Sequence, residues 1–173
     1  MTHANETEQT RMGEQHPATS FPPEILEQYA GLGVDLRALF SAGHLGERMG
    51  IRILEAAPEK VVGTMPVEGN TQPYGLLHGG ASAVLAETLG SVGAMLHGGP
   101  GKVAVGVDLN ATHHRGLRSG VVTGTAVPVH RGRSSATYEI AITDDATGKR
   151  VCTARLTCML RPATATATTA PPA

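Results

Sequence analysis

From Gly80 to Leu96 the chain is built of apolar and small residues, and Glu87 is the only charged residue between His78 and Lys102. A helix that is apolar or small on nearly every face has to be buried by the rest of its fold. The stretch is slightly short for a bilayer crossing, and it holds glycines and an acid, so it reads as a core helix. Gly98-Gly99-Pro100 supplies a strong stop signal at its end. A carboxylate carried into a core costs free energy unless it is partnered or serves chemistry. Glu87 is therefore expected to be buried, and it is the first candidate for function.

The flanks show what could bury such a helix. Ile25, Leu26, Tyr29 and Leu32 recur at helical spacing after Phe21-Pro22-Pro23, and Leu36, Leu39 and Phe40 suggest a further turn or two. The period then changes. Ile51 and Ile53, then Val61 to Val67, read as two strands. Beyond the apolar helix, Val103, Val105, Val107 and Leu109 alternate with Ala104, Gly106, Asp108 and Asn110, a period of two. Val121 to Val129 follows as a strand, with Pro128 marking an edge or a bulge. Ala136 to Thr143 and Arg150 to Leu160 form a hairpin around Asp144-Asp145-Ala146-Thr147-Gly148. Residues 1–19 are polar, and residues 162–173 alternate Ala and Thr; both are expected to be disordered tails around one domain at residues 20–161. The expected class is α+β, an antiparallel sheet wrapped around one long central helix, which is the hotdog arrangement. One such sheet cannot cover every face, so a second subunit is expected to complete the burial.

Composition narrows the function. With a net charge of −1, 3% aromatic residues and no Trp, the chain has neither the basic field nor the stacking platforms of a nucleic-acid binder. The first fifteen residues contain no apolar run, so no secretory signal is read there, and no membrane partner is expected. Cys152 and Cys158 lie too far apart along one strand to bond to each other. Free thiols of this kind fit a cytoplasmic protein, and both are expected to pack rather than react. His78, Asp108 and His113 have no recognised zinc spacing, so no metal is expected.

The helix itself suggests a chemistry. Ala83 and Ser91 lie one turn either side of Glu87, and Gly80 and Ala94 lie two turns either side, so the acid sits on a stripe of small residues. Leu85, Leu89, Val92 and Leu96 make another face that reads as core. Gly79-Gly80 opens the helix, where bare N–H groups and the helix dipole can polarise a carbonyl oxygen. Gly80 and Glu87 are roughly 10 Å apart along the helix axis, too far to act on one carbonyl within a subunit. Two such helices packed antiparallel across a dimer axis would bring the acid of one to the glycines of the other.

Gln72-Pro73-Tyr74-Gly75-Leu76-Leu77-His78-Gly79-Gly80, followed by Leu85-Ala86-Glu87-Thr88-Leu89-Gly90-Ser91, resembles the signature of hotdog-fold acyl-CoA thioesterases. The likeness is to the phenylacetate-degradation and hydroxybenzoyl-CoA branch. Within it, the pattern is most similar to the 1,4-dihydroxy-2-naphthoyl-CoA hydrolases of menaquinone synthesis, with the enterobactin proofreading thioesterases close behind. The resemblance covers residues 45–160.

It implies Glu87 as the catalytic carboxylate, either nucleophile or general base. It implies Gln72 and His78 near the thioester carbonyl, Gly79 and Gly80 as N–H donors, and Ser91 as the hydroxyl orienting water. His113 and Arg115 match the acyl-pocket strand end, and Gly132, Arg133, Ser134 and Ser135 match a loop cradling pantetheine and nucleotide phosphate. No cofactor is implied, since coenzyme A belongs to the substrate; the partner is a second copy, as a homodimer or homotetramer with shared sites. Two departures stand out: Arg133-Ser134 replaces the more usual Ser-Arg or Ser-Thr, and acyl-pocket aromatics are few. Two alternatives stay open, an acyl-CoA hydratase or dehydratase on the same fold, and a non-catalytic acyl-CoA-binding protein.

Overall fold

The computed structural model describes residues 21, 23–31, 35–36 and 45–163. In chain order the elements are α1 (Pro23–Ala30), α2 (Leu45–Arg48), β1 (Arg52–Ala57), β2 (Lys60–Pro66), α3 (Gly79–Gly98), β3 (Lys102–His113), β4 (Val121–Arg131), β5 (Ser135–Asp144) and β6 (Arg150–Pro162). The six strands form one antiparallel sheet in the order β1-β2-β4-β5-β6-β3, with α3 on its inner face. The expected helix-and-sheet architecture is therefore found. Leu32, Leu39 and Phe40, and the polar N-terminal stretch, lie outside the described residues. Strand β6 continues through Pro162, two residues past the Leu160 end read from the sequence.

Helix and sheet interlock through their glycines. A Cβ at Gly90 would sit 2.7 Å from Leu156 Cδ2, and one at Gly93 would sit 2.6 Å from the Tyr138 ring. In return, Leu89 fills the hollows at Gly63 and Gly124, where a Cβ would lie 2.7 and 2.5 Å from its methyls. Each mid-helix glycine costs about 1 kcal/mol in propensity; close helix–sheet contact offsets that cost. Leu85, Leu89, Val92 and Ala94 are fully buried as a result. The C-terminus of α3 closes as the sequence indicates, with Gly99 at φ 71° and its N–H donating to Met95 O.

Two strand irregularities aim side chains. The bulge at Pro128 lies between Pro128 and His130, beyond the last residue of β4 that pairs with β2, where the missing proline N–H breaks no bond to that strand. A second bulge falls in β3 between Gly106 and Asp108. It corrects the even alternation read from the valines. Ala104 packs against the core before the bulge, and Leu109 and Ala111 do so after it. Val105 and Val107 are left 47% and 57% exposed on a strand that is itself the free edge of the sheet.

The sheet does not surround α3. Gly80 and Glu87 are exposed, and Ala83, Val84, Thr88 and Ser91 are half-buried along the same open strip. This corrects the expectation that Glu87 is buried: in the single chain its carboxylate faces solvent. The remainder of the helix surface is what the sheet hides.

Gly93→Ala tests the interlock. The added methyl meets a ring whose hydroxyl donates to Pro58 O at 2.7 Å, so Tyr138 has no room to retreat. Overpacking of this kind costs about 1–3 kcal/mol and outweighs the alanine's helix propensity. Urea denaturation is expected to show the variant less stable; equal or greater stability would mean that Tyr138 does not rest on the helix.

Candidate active site

The segment before α3 is pinned by its backbone. Gln72 N–H donates to Leu76 O and Gly75 N–H to Gln72 O, both at 2.8 Å, and Gly75 takes φ 72°. Leu77 N–H donates to Leu117 O at 2.7 Å and His78 N–H to Asn70 O at 2.9 Å. The Asn70 amide in turn donates to Met49 O and Pro66 O. His78 thus arrives in extended conformation as the N-cap of α3, and its Nδ1 accepts the Gly80 N–H at 2.8 Å. The neutral ring then carries its proton on Nε2. Of the two glycine N–H groups expected to polarise a carbonyl, Gly80's is already engaged. Gly79's has no acceptor among the described residues, so it is the donor open to a ligand.

A cleft of about 390 Å³ opens beside this helix end, lined by Gln72, Leu76, Leu77, Gly79, Ser82, His113, His114, Arg115, Gly116 and Val151. Four of the sequence-predicted residues, Gln72, Gly79, His113 and Arg115, meet there. The His113 ring lies against Gly79, close enough that a Cβ would come within 2.8 Å of Nε2. Alternation along a strand would turn adjacent residues to opposite sides, yet His113 and His114 both line the cleft. The alternation stops applying because β3 ends at His113. His114 N–H bonds Val151 O at 2.8 Å, and its Nε2 sits 3.0 Å from Thr153 Oγ1.

Glu87 lies farther along α3, outside that cleft. Its Oε1 is so near β3 that a Cβ on Gly106 would stand 3.3 Å away. Ser91, one turn on, is half-buried, with its Oγ 3.9 Å from Cys158 Sγ. Burial pushes the Cys158 thiol above its ordinary pKa; the Ser91 hydrogen bond works against this and the nearby Glu87 charge adds to it. Burial likewise raises Cys152. Both cysteines are free and buried, as packing residues should be.

The Gly132–Ser135 turn is at the opposite end of the sheet. His97 Nε2 lies 3.0 Å from Gly132 O, Lys102 Nζ donates to Arg133 O at 3.1 Å, and Leu160 N–H donates to Ser134 O at 2.8 Å. Arg131 pairs with Glu59 at 2.5 Å, and that guanidinium holds the Glu59 carboxyl below its ordinary range. The register sets this turn level with Ala104 and Val105, so roughly 30 Å of strand separates it from His113. The predicted substrate contacts thus form two clusters that one chain does not bring together.

Several lining residues escaped the sequence reading. Leu76, Leu77, Ser82, Gly116 and Val151 carry no chemistry of their own and meet only through the fold. Gly106 had a signal, a glycine interrupting a run of strand residues, which commonly marks a bulge. Among the described residues no three His, Cys, Asp or Glu side chains converge as a metal site. Nor is any helix there long and apolar enough to cross a membrane.

Comparison with known proteins fits this geometry. Residues 74–151 match the model of the Thioesterase superfamily. The proofreading thioesterase EntH of Cronobacter turicensis is 47% identical over 117 residues, which is 67% of this chain and 85% of that protein. A mutant thioesterase of Pseudomonas aeruginosa with a glutamine-to-alanine change is 41% identical, with TM-score 0.68 over 75% of this chain and 96% of its own. Two mutants of a Staphylococcus aureus protein, described in one case as a thioesterase enzyme, are each 34% identical with TM-score 0.66 over 69% of this chain and 99% or more of theirs. One carries a glutamine-to-alanine change and the other a glutamate-to-alanine change.

The His78 cap yields a stability test. His78→Ala leaves the Gly80 N–H without its side-chain acceptor and is expected to cost about 1 kcal/mol. His78→Asn restores an acceptor and should recover most of it, as read by urea midpoints. An alanine variant as stable as the parent would show that the ring does not cap the helix.

Proposed function

The chain belongs to the thioesterase superfamily and is a thioester hydrolase, and on that premise we propose that its substrate is an aryl- or acyl-CoA, cleaved to free acid and CoA. The observation that carries this reading is the open strip of α3, with the Glu87 carboxylate exposed on it and at its start the Gly79 N–H, which has no acceptor among the described residues. The two are eight residues apart, about 12 Å along the axis, and cannot meet one carbonyl from the same chain. A second copy docked on the exposed edge strand β3 resolves this. Antiparallel pairing there covers Val105 and Val107 and lays the two α3 strips against each other in opposite directions. The Glu87 of one protomer then approaches the Gly79 of its partner.

In that arrangement the Gly79 N–H, backed by the positive end of the helix, draws electron density onto the thioester oxygen. Glu87 either takes a proton from the attacking water or attacks first and is regenerated by water. The C–S bond breaks, and the proton taken from water ends on the CoA thiol. The Gln72 side chain, which lines the cleft, would hold the carbonyl. The Staphylococcus aureus substitutions support the pairing of these two residues, since its glutamine and glutamate are separated by the same number of positions as Gln72 and Glu87. His113 and Arg115 flank the acyl end. Arg133 and the Gly132–Ser135 turn, remote within one chain, are brought toward the partner's cleft by an antiparallel pairing, where arginine suits the CoA phosphates.

Glu87→Ala is expected to lower turnover at least a hundredfold with the fold intact, measured as free thiol released from a panel of aromatic, naphthoyl and fatty acyl-CoAs. A variant with near-normal rate would remove the carboxylate from the reaction. Enoyl-CoA hydration by the parent, without thiol release, would favour a hydratase.

Val107→Lys tests the shared site. It puts a charge on the β3 edge and is expected to give a folded monomer by light scattering, with thiol release lost. An active monomer would overturn the intersubunit arrangement.

A further inference from the structure

We infer that Gly106 and Cys158, register partners on β3 and β6, seat the reacting groups: Gly106 gives the Glu87 carboxylate its place, and Cys158 holds the Ser91 hydroxyl. The inference rests on the reading of Glu87 as the acid of hydrolysis and of Ser91 as the hydroxyl beside it.

The four residues are contiguous. Gly106 and Cys158 face each other across neighbouring strands. Glu87 and Ser91 sit one turn apart above them on α3. A Cβ at residue 106 would lie 3.3 Å from Glu87 Oε1 and 3.6 Å from Leu156 Cδ1, so it would press the carboxylate from its present place by a few tenths of an ångström. The bulge that follows Gly106 has its own consequence. Strict alternation would turn Asp108 inward, the next position toward the helix, and place a second carboxylate near Glu87. The extra residue instead brings Leu109 and Ala111 to the core and leaves Asp108 exposed.

Cys158 is fully buried, and Ser91 Oγ stands within hydrogen-bonding range of its sulfur at 3.9 Å. A thiol is a weak partner. It still biases the rotor of a half-buried hydroxyl that would otherwise turn freely, and so fixes the direction in which Ser91 meets the carboxylate or a water beside it. Both are positioning residues, acting through Glu87 and Ser91 rather than on substrate.

The roles separate from packing by kinetics. Gly106 is not among the glycines with positive φ, so alanine there strains no backbone. Its methyl displaces the end of a flexible, exposed side chain. Gly106→Ala is expected to melt within a few degrees of the parent and keep its assembly, while kcat falls at least tenfold and KM changes less than threefold. For the thiol, a double-mutant cycle is read in kcat. Cys158→Val is expected to lower kcat threefold to tenfold in the parent and to have no further effect in the Ser91→Ala background, with Cys158→Ser recovering most of the loss. Cys158→Ala runs the same cycle with a smaller side chain if valine does not fold.

Equal losses from Cys158→Val in both backgrounds would mean packing alone and would overturn the thiol's role. Full kcat in Gly106→Ala would overturn the carboxylate seat. Glu87→Gln, assayed alongside, keeps the two readings apart. A near-normal rate there sinks the catalytic reading itself; loss of rate there, with Gly106→Ala and Cys158→Val unaffected, sinks only the seat.

Discussion

The close contact between α3 and the sheet sets everything else in this molecule. Glycines on each surface receive large side chains from the other: Leu156 and Tyr138 press on Gly90 and Gly93, and Leu89 fills the hollows at Gly63 and Gly124. Such contacts are steep in distance, because interiors are packed to crystal-like density. They fix the rotation of the helix about its own axis, and with it which residues the sheet leaves uncovered. The strip from Gly80 through Glu87 to Ser91 is open because the opposite face is held.

That rotation also separates two kinds of polarity. The N-terminus of α3 is closed on one side by the His78 ring, which takes the Gly80 N–H and leaves Gly79 as the donor facing the cleft. Glu87 is two turns on and looks across at Gly106 rather than into the cleft. One chain thus carries an acid and a donor on the same strip, held apart by the rigidity of the helix between them. The proposal of catalysis shared across two copies rests on this spacing more than on any surface patch. A flexible loop between acid and donor would let one chain do both jobs.

The sequence was most legible where a period or a breaker had one physical meaning. Alternation placed six strands, Gly99 ended the helix, and Pro128 announced a bulge that the register contains. It misled where a period was interrupted without a breaker. The valines of β3 kept their spacing on paper while the bulge after Gly106 turned the strand over. Strand alternation does not separate His113 from His114, because the strand ends between them. Gly80 was credited with a free N–H because a wheel shows positions on a helix and not what the preceding residue's side chain does. The resemblance to a thioesterase signature reached the family, while the division of the predicted contacts between two ends of the sheet needed coordinates.

The exposure of Glu87 is the instructive disagreement. An acid in an otherwise apolar helix suggested burial, and the single chain instead gives it to solvent. Both follow from one fact, since the sheet buries all of α3 that it can reach. In the proposed pairing a partner covers the strip, and the water around the carboxylate is replaced by backbone and substrate. Removing that water costs free energy, because a carboxylate is better solvated by water than by a protein interior. An acid kept permanently in the core would charge that desolvation against the folding of each chain. Placed on the strip, it meets the cost only on assembly, where covering Val105 and Val107 contributes in the opposite direction. The apolar edge of β3 and the acid of α3 are in this sense one device, the first supplying the free energy with which the second is desolvated.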